Sequence, residues 1–322
     1  MEKTERKLTG ALRTIADYRE TTLAIILMMI CVLLTLATDS FFTDGNLFNV
    51  LKQATLVAII AVGQTFIITS GGIDLSVGQS MALSSIISAY SLKAGYPLIF
   101  CVLLGVMISV FVGFANGVLI TKLKLPAFII TLGMTNIVKG VILILTEGNI
   151  VSISNETVIF IGQGNVGPIP AMVLIMLAIV ILCTVLLNKS VFGNQVKSVG
   201  GNETAARLSG ISCDKVRILV YVLTGILCGI AAIIVTGRVN GGNPNSAGTY
   251  DMDSIAAVIV GGTSLTGGSG TIIGTVLGAL LMILIRNGLV LLRVNIYWQT
   301  VAVGMVIIVV CAIDAFTRSR KE

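Results

Sequence analysis

The chain has no histidine among its 322 residues, and only 11% of them are charged. Without histidine a Ser-His-Asp triad, an HExxH zinc site and a histidine proton relay are all excluded. A water-soluble domain carries roughly 25% charged residues, so this chain cannot cover its own surface in water. Cysteine is sparse too. Cys31, Cys101, Cys183, Cys213, Cys228 and Cys311 form no CxxC pair, and all but Cys213 fall inside apolar runs. They read as small buried hydrophobes, not as a disulfide or metal framework. There is also no GxxxxGK[ST] sequence, because Gly267-Gly268-Ser269-Gly270-Thr271 lacks the lysine that would reach a nucleotide's phosphates. The chain is therefore expected to bind no cofactor of its own.

What the chain does have is apolar length: 55% of it is hydrophobic, and its mean hydropathy is +1.01. A bilayer core of about 30 Å is crossed by about 20 apolar residues, and clear runs of that kind occupy 22–38, 97–121, 125–145, 168–187, 218–236, 271–292 and 297–315. Two further regions are interrupted. Residues 47–69 and 73–91 are split by the polar stretch Ser70 to Gly78, and 254–266 runs into Gly261 to Gly270. The pattern predicts an all-α membrane protein of about ten crossings. Residues 22–316 form one transmembrane domain, between an N-terminal segment 1–21 and a tail 317–322. Fifteen of the 21 basic residues lie in four segments: the N-terminus, 122–124, the loop 188–217 and the C-terminus. Ten crossings put all four on one side, so both termini are expected to be cytoplasmic. The net charge of +6 follows from that asymmetry and is no nucleic-acid footprint. About twenty polar residues precede the first apolar run, which argues against a cleaved signal peptide. Residues 1–20 read instead as an amphipathic helix, with Leu8, Leu12, Ile15 and Ala16 on one face, either settled on anionic lipid or a docking site for a partner.

Helices in lipid associate through close packing of small residues. Gly113-x-x-x-Gly117, Gly225-x-x-x-Gly229 and Gly270-x-x-x-Gly274-x-x-x-Gly278 supply them. The two interrupted segments point further, because backbone that leaves the helix at membrane depth must be buried in protein or line a wet cavity. Interrupted segments in matching parts of two halves mark a transport path between repeats. Gly71, Gly72, Asp74, Ser76, Thr263 and Ser264, with Asn116 and Asn136 from neighbouring spans, offer the uncharged donors and acceptors that a polar solute needs. Asp74 reads either as a path residue or as part of a turn, and the two asparagines either as solute ligands or as bonds between helices. Lys139 and Arg286 fall inside apolar spans, as functional charges or as side chains snorkelling to the surface. In the 188–217 loop Asn202 is suited to cap a helix, Glu203 to its first turn and Gly210 to its end. A helix of about two turns is unstable alone and calls for a partner.

Gly71-Gly72-Ile73-Asp74-Leu75-Ser76-Val77-Gly78, the Gly200 to Ile211 loop and the Asp253 to Leu265 stretch, taken together, closely resemble the membrane permease subunits of bacterial ribose-type ABC importers. The likeness runs from about Phe41 to the C-terminus. It implies a ten-helix fold with inverted halves, in the cytoplasmic membrane, paired with a second copy or a paralogue. It also implies a separate ATPase that holds ATP and Mg on the cytoplasmic face, and an extracytoplasmic sugar-binding protein. This chain would then be a transport subunit without enzymatic activity. Gly200, Asn202, Glu203, Ala205, Ala206 and Gly210 would form the coupling element, with Glu203, Ala205 and Ala206 seated in the ATPase groove. Arg286-Asn287, where two amides are more usual, and the stretch 240–245 depart from the ribose pattern. They leave the solute open between ribose, a related sugar, and a nucleoside or signalling furanose. An ion-driven transporter is the rival of a different class, with Asp74 as its one serious titrating carboxylate.

Overall fold

The computed structural model describes residues 19–319. Residues 1–18, which hold the apolar face of the expected amphipathic helix, and 320–322 lie outside the described residues. Helices α1 (Arg19–Ala37), α2 (Asp44–Thr69), α3 (Val77–Lys93), α4 (Leu98–Leu123) and α5 (Ala127–Thr146) are followed by a short α6 (Glu156–Gln163) and by α7 (Ala171–Lys189). Next come α8 (Val191–Gly201) and α9 (Glu203–Leu208), then α10 (Cys213–Arg238), α11 (Tyr250–Val260), α12 (Ile272–Leu291) and α13 (Ile296–Ser319). Strands are confined to two-residue pieces: β1 (Val151–Ser152), β2 (Asn165–Val166), β3 (Ile169–Pro170) and β4 (Gly241–Gly242), with β1 antiparallel to β4 and β2 to β3. The chain is an all-α membrane protein. Among the described residues, seven helices (α1, α2, α4, α5, α7, α10 and α12) are long and apolar enough to cross a bilayer.

At 26 residues each, α2 and α10 are about 39 Å long, more than the bilayer core needs, and they form the buried centre. Glycines set the packing. A Cβ added to Gly225 of α10 would lie 2.5 Å from the Ser109 carbonyl oxygen of α4, and one on Gly117 of α4 would lie 2.9 Å from Ile218 Cα of α10. The two GxxxG faces therefore interlock with one another. On the other side of the molecule Gly274 and Gly278 of α12 press on the Gly261 and Ala257 backbone.

The bundle has a loop end, which carries α8 and α9, and a far end, where β1 meets β4. Both interruptions are present, as non-helical backbone between α2 and α3 (70–76) and between α11 and α12 (261–271). They lie side by side at the loop end, where the Gly268 N–H donates to the Thr69 carbonyl at 2.9 Å. An inverted repeat places equivalent breaks at opposite ends, so these two are not repeat equivalents as their sequence positions had implied. The apolar run 254–266 also proves helical only to Val260. The two short helices, α3 and α11, meet N-terminus to N-terminus inside the protein, and the Gly78 N–H donates to Asp251 Oδ1 at 2.5 Å. A carboxylate there offsets the positive end of the α3 dipole.

Candidate functional site

At the loop end α9 forms as its residues dictate. Asn202 Oδ1 accepts the Ala205 N–H at 3.0 Å, and Gly210 turns the chain with φ +83°. Glu203 latches the helix to α10: its carboxylate takes Arg207 at 2.8 Å and Arg217 at 2.6 Å, and Arg207 also reaches Asp214 at 2.7 Å. The hydrogen bond from Arg207, backed by Arg217, holds the Glu203 carboxyl below the usual glutamate range. Ala206, expected to seat in a partner's groove, is 3% exposed and packed into the core, so it has no surface to offer. Leu208, which sequence reasoning passed over, is 85% exposed and gives α9 its apolar outer contact together with Ala205.

Gly200, also expected in the coupling element, faces the bundle. An added Cβ there would run into the Thr69 carbonyl and the Gly268 amide, so α8 touches both breaks at once. Gly267 and Gly268 have φ +86° and +82°, a left-handed conformation that favours glycine. A second contact reaches the first break through α10. Tyr221, one turn beyond Arg217, donates its hydroxyl to the Ile73 carbonyl at 3.1 Å. Glu203, Arg217, Tyr221 and Ile73 thus form a continuous line from the exposed helix to the interrupted backbone.

The 70–76 break is satisfied from inside the protein, as non-helical backbone in lipid requires: the N–H groups of Ser70, Gly71 and Gly72 donate to carbonyls of the last turn of α2, and side chains serve the residues that follow. Asp74 Oδ1 accepts the Ser76 N–H and hydroxyl, both at 2.7 Å, and the Asn116 amide donates to Ser76 Oγ at 2.9 Å. Thr135 donates to the Leu75 carbonyl at 2.8 Å, and the Gln64 amide donates to the Asp74 carbonyl. Asp74, Ser76 and Asn116 therefore come together as a buried cluster just before α3. Gly71 and Gly72 instead line a cavity of about 630 Å³ with Lys124, Glu203, Arg207 and Arg217. Thr263 and Ser264 are buried in the second break. Asn136 stands apart on the outward face of α5, between Gly133 and Gly140, where no atom comes within 4 Å of an added Cβ. Lys139 is exposed on the same helix. Arg286, its side chain 30% exposed, pairs with the buried Asp253 at 3.0 Å.

A family model described as "Branched-chain amino acid transport system / permease component" matches residues 46–311. The chain belongs to this permease family. It is a multi-pass inner-membrane transport subunit and not an enzyme. The ribose import permease protein of Bacillus subtilis is 38% identical over 290 residues, 89% of this chain and 90% of that protein. The fructose import permease protein of Rhizobium meliloti is 34% identical over 295 residues, 86% of this chain and 80% of that protein. The autoinducer 2 import system permease protein of Photorhabdus luminescens is 32% identical over 315 residues, 97% and 94% of the two chains. No solved structure matches the chain significantly.

Proposed function

We propose that the chain is the permease subunit of an ATP-driven importer that carries a monosaccharide, ribose or a close relative, across the cytoplasmic membrane. The similarity to sugar import permeases along nearly the whole chain carries this reading. The loop end is the cytoplasmic end, where a separate ATPase holding ATP and Mg grips α9 through Leu208 and Ala205. Closure of the ATPase pulls on Glu203, and Arg217 and Tyr221 pass that displacement to the first break while Gly200 presses on both.

With the loop end cytoplasmic, α1, α2, α3, α4, α5, α7, α10, α11, α12 and α13 alternate as ten crossings, α11 being a half-crossing, and both termini are cytoplasmic. Helices α2–α5 and α10–α13 then run in opposite senses, as inverted halves do. Their equivalent breaks are 70–76 and the α10–α11 loop. Gly71-Gly72 followed by Ser76-x-Gly78 recurs at the same spacing as Gly241-Gly242 followed by Ser246-x-Gly248, which supports the pairing. Each leads into one of the two short helices that meet inside the protein.

The solute path lies on the face of α5 that holds Gly133, Asn136 and Gly140. Lipid is a poor neighbour for an amide at mid-span, and a second copy or paralogue packed there would enclose it. An extracytoplasmic binding protein delivers the sugar. A signalling furanose is a second reading, favoured by the autoinducer 2 relative. The test is uptake of labelled ribose into proteoliposomes that contain the chain, its partner ATPase and the matching binding protein. ATP-dependent uptake is expected. Accumulation driven by an ion gradient without the ATPase would overturn the reading.

A further inference from the structure

A cavity of about 360 Å³ opens at the far end, between α2, the end of α10, the α10–α11 loop, α11 and α12. Its volume is at the small end of the roughly 300–1,000 Å³ range of ligand sites, which suits one sugar ring. One wall is closed and nearly neutral. Arg286 donates to Asp253 Oδ1 and to Thr249 Oγ1, both at 3.0 Å, while Thr249 donates to Asp253 Oδ2 at 2.6 Å. The remaining lining mixes apolar Val57, Val235, Val239 and Ile283 with polar groups, and among the latter Asn243 Oδ1 accepts the Asn245 N–H at 2.9 Å. Ser246 Oγ is shielded from solvent and has no hydrogen-bond partner. The Arg238 guanidinium, the Asn243 amide nitrogen and the Gln53 amide, which share the lining, make no hydrogen bond among the described residues. A buried hydroxyl without a partner is uncommon in a folded protein and calls for a partner such as water or a solute.

We propose that this cavity is an entry station for a monosaccharide, one in each permease subunit, separate from the shared path along α5. Mixed neutral donors and acceptors from Ser246, Asn243 and Gln53 match a ring of hydroxyls, each of which both donates and accepts. A small anion fits the set less well, because Arg238 is its one unpaired cation and Asp253 shares the lining. The loop that supplies Asn243 and Ser246 is the inverted counterpart of the 70–76 break, so occupancy would bear on the point where α11 begins. The inference rests on the sugar-import reading for the identity of its ligand.

The test is cysteine protection at Asn245→Cys, an exposed position on the cavity lining, in the full permease–ATPase complex in lipid nanodiscs without binding protein, with wild-type labelling subtracted. Ribose and fructose are expected to slow maleimide labelling in a saturable way. Asn243→Ala should raise the half-protecting concentration about tenfold. Equilibrium dialysis of labelled ribose against the unmodified complex and against Arg238→Ala gives a second readout, independent of the cysteine. If neither sugar protects or binds, or if inorganic phosphate protects as well as they do, the proposal fails. ATP-driven uptake by the same complex reconstituted into proteoliposomes, supplied with loaded binding protein, separates the two ideas. Normal uptake without protection removes the entry station and leaves the importer standing, whereas no uptake by the wild type overturns the reading beneath it.

Discussion

Replacing Gly200 by alanine probes the contact between α8 and the two breaks. In an ordinary helix the change is favourable by about 1 kcal/mol. Here the added carbon meets the Thr69 carbonyl and the Gly268 amide, both of them backbone, so no side chain can swing aside. Parting them breaks the 2.9 Å bond from Gly268 to Thr69 and leaves two interior groups unpaired. That loss costs about 1–3 kcal/mol and overpacking about 1–3 more, for a net of about 1–5 kcal/mol after the helix gain. The equilibrium between packed and parted junction should then shift about 5-fold to 5,000-fold. Gly201→Ala is the matched control, because its Cβ would sit 3.7 Å from Gly268 Cα, an ordinary contact. The assay is sugar taken up per ATP hydrolysed in proteoliposomes, with melting of the purified complex alongside. Gly200→Ala should lower both, and Gly201→Ala neither. Equal, wild-type behaviour of the two variants would refute the idea that the loop acts through this junction.

Leu208→Asp removes the exposed apolar contact of α9, and retention of the ATPase on the purified permease should fall by about tenfold or more, measured by co-elution at fixed detergent. Glu203→Lys sets a third cation among Arg207 and Arg217 and should uncouple hydrolysis from uptake, while adding Arg217→Glu should restore part of the coupling; no recovery in the double variant counts against the latch. Asp74→Ala strips both bonds from Ser76 and should lower the yield of folded protein. Asp74→Asn should be tolerated, because its oxygen can keep those bonds while Asn116 Oδ1, which has no partner, can accept from the new amide; a transport loss with normal yield would return Asp74 to the solute path. Spin labels at Lys122 and Lys215, across the interlocked α4–α10 seam, should hold their distance when ATP binds, whereas labels at Ser209 and Ser269 should move apart or together.

The long spans were legible because lipid accepts little else than about 20 apolar residues in a row. The breaks were legible because glycine, serine and aspartate interrupt those rows. The true end of α11 was not, since Ile255 to Val260 and Leu265 are apolar on both sides of Gly261, and hydropathy cannot register a glycine pressed against Gly274. A helix of six residues has no period to read, so Ala206 and Leu208 could not be sorted into inward and outward positions. Asp251 drew no notice because its partner, the Gly78 N–H, is a backbone group 173 residues away. The junction of Gly200, Thr69 and Gly268 left no side-chain signature at all, since it is built from backbone.

That backbone construction bears on how the molecule would move. Water gives helices in lipid almost no reason to stay together, so the strength of each interface follows from how much close packing it contains. The α4–α10 seam interlocks four glycines over several turns and should travel as one body. The loop-end junction rests on a few glycine contacts and one hydrogen bond worth about 0.5–1.5 kcal/mol net, which makes it the weaker seam. A pull on Glu203 reaches α10 through Arg217 and carries α4 with it, and the displacement is then taken up where the packing is thinnest, at Gly200, Thr69 and Gly268. The two breaks share that boundary, so one small parting loosens both at once, without any helix having to unwind in lipid.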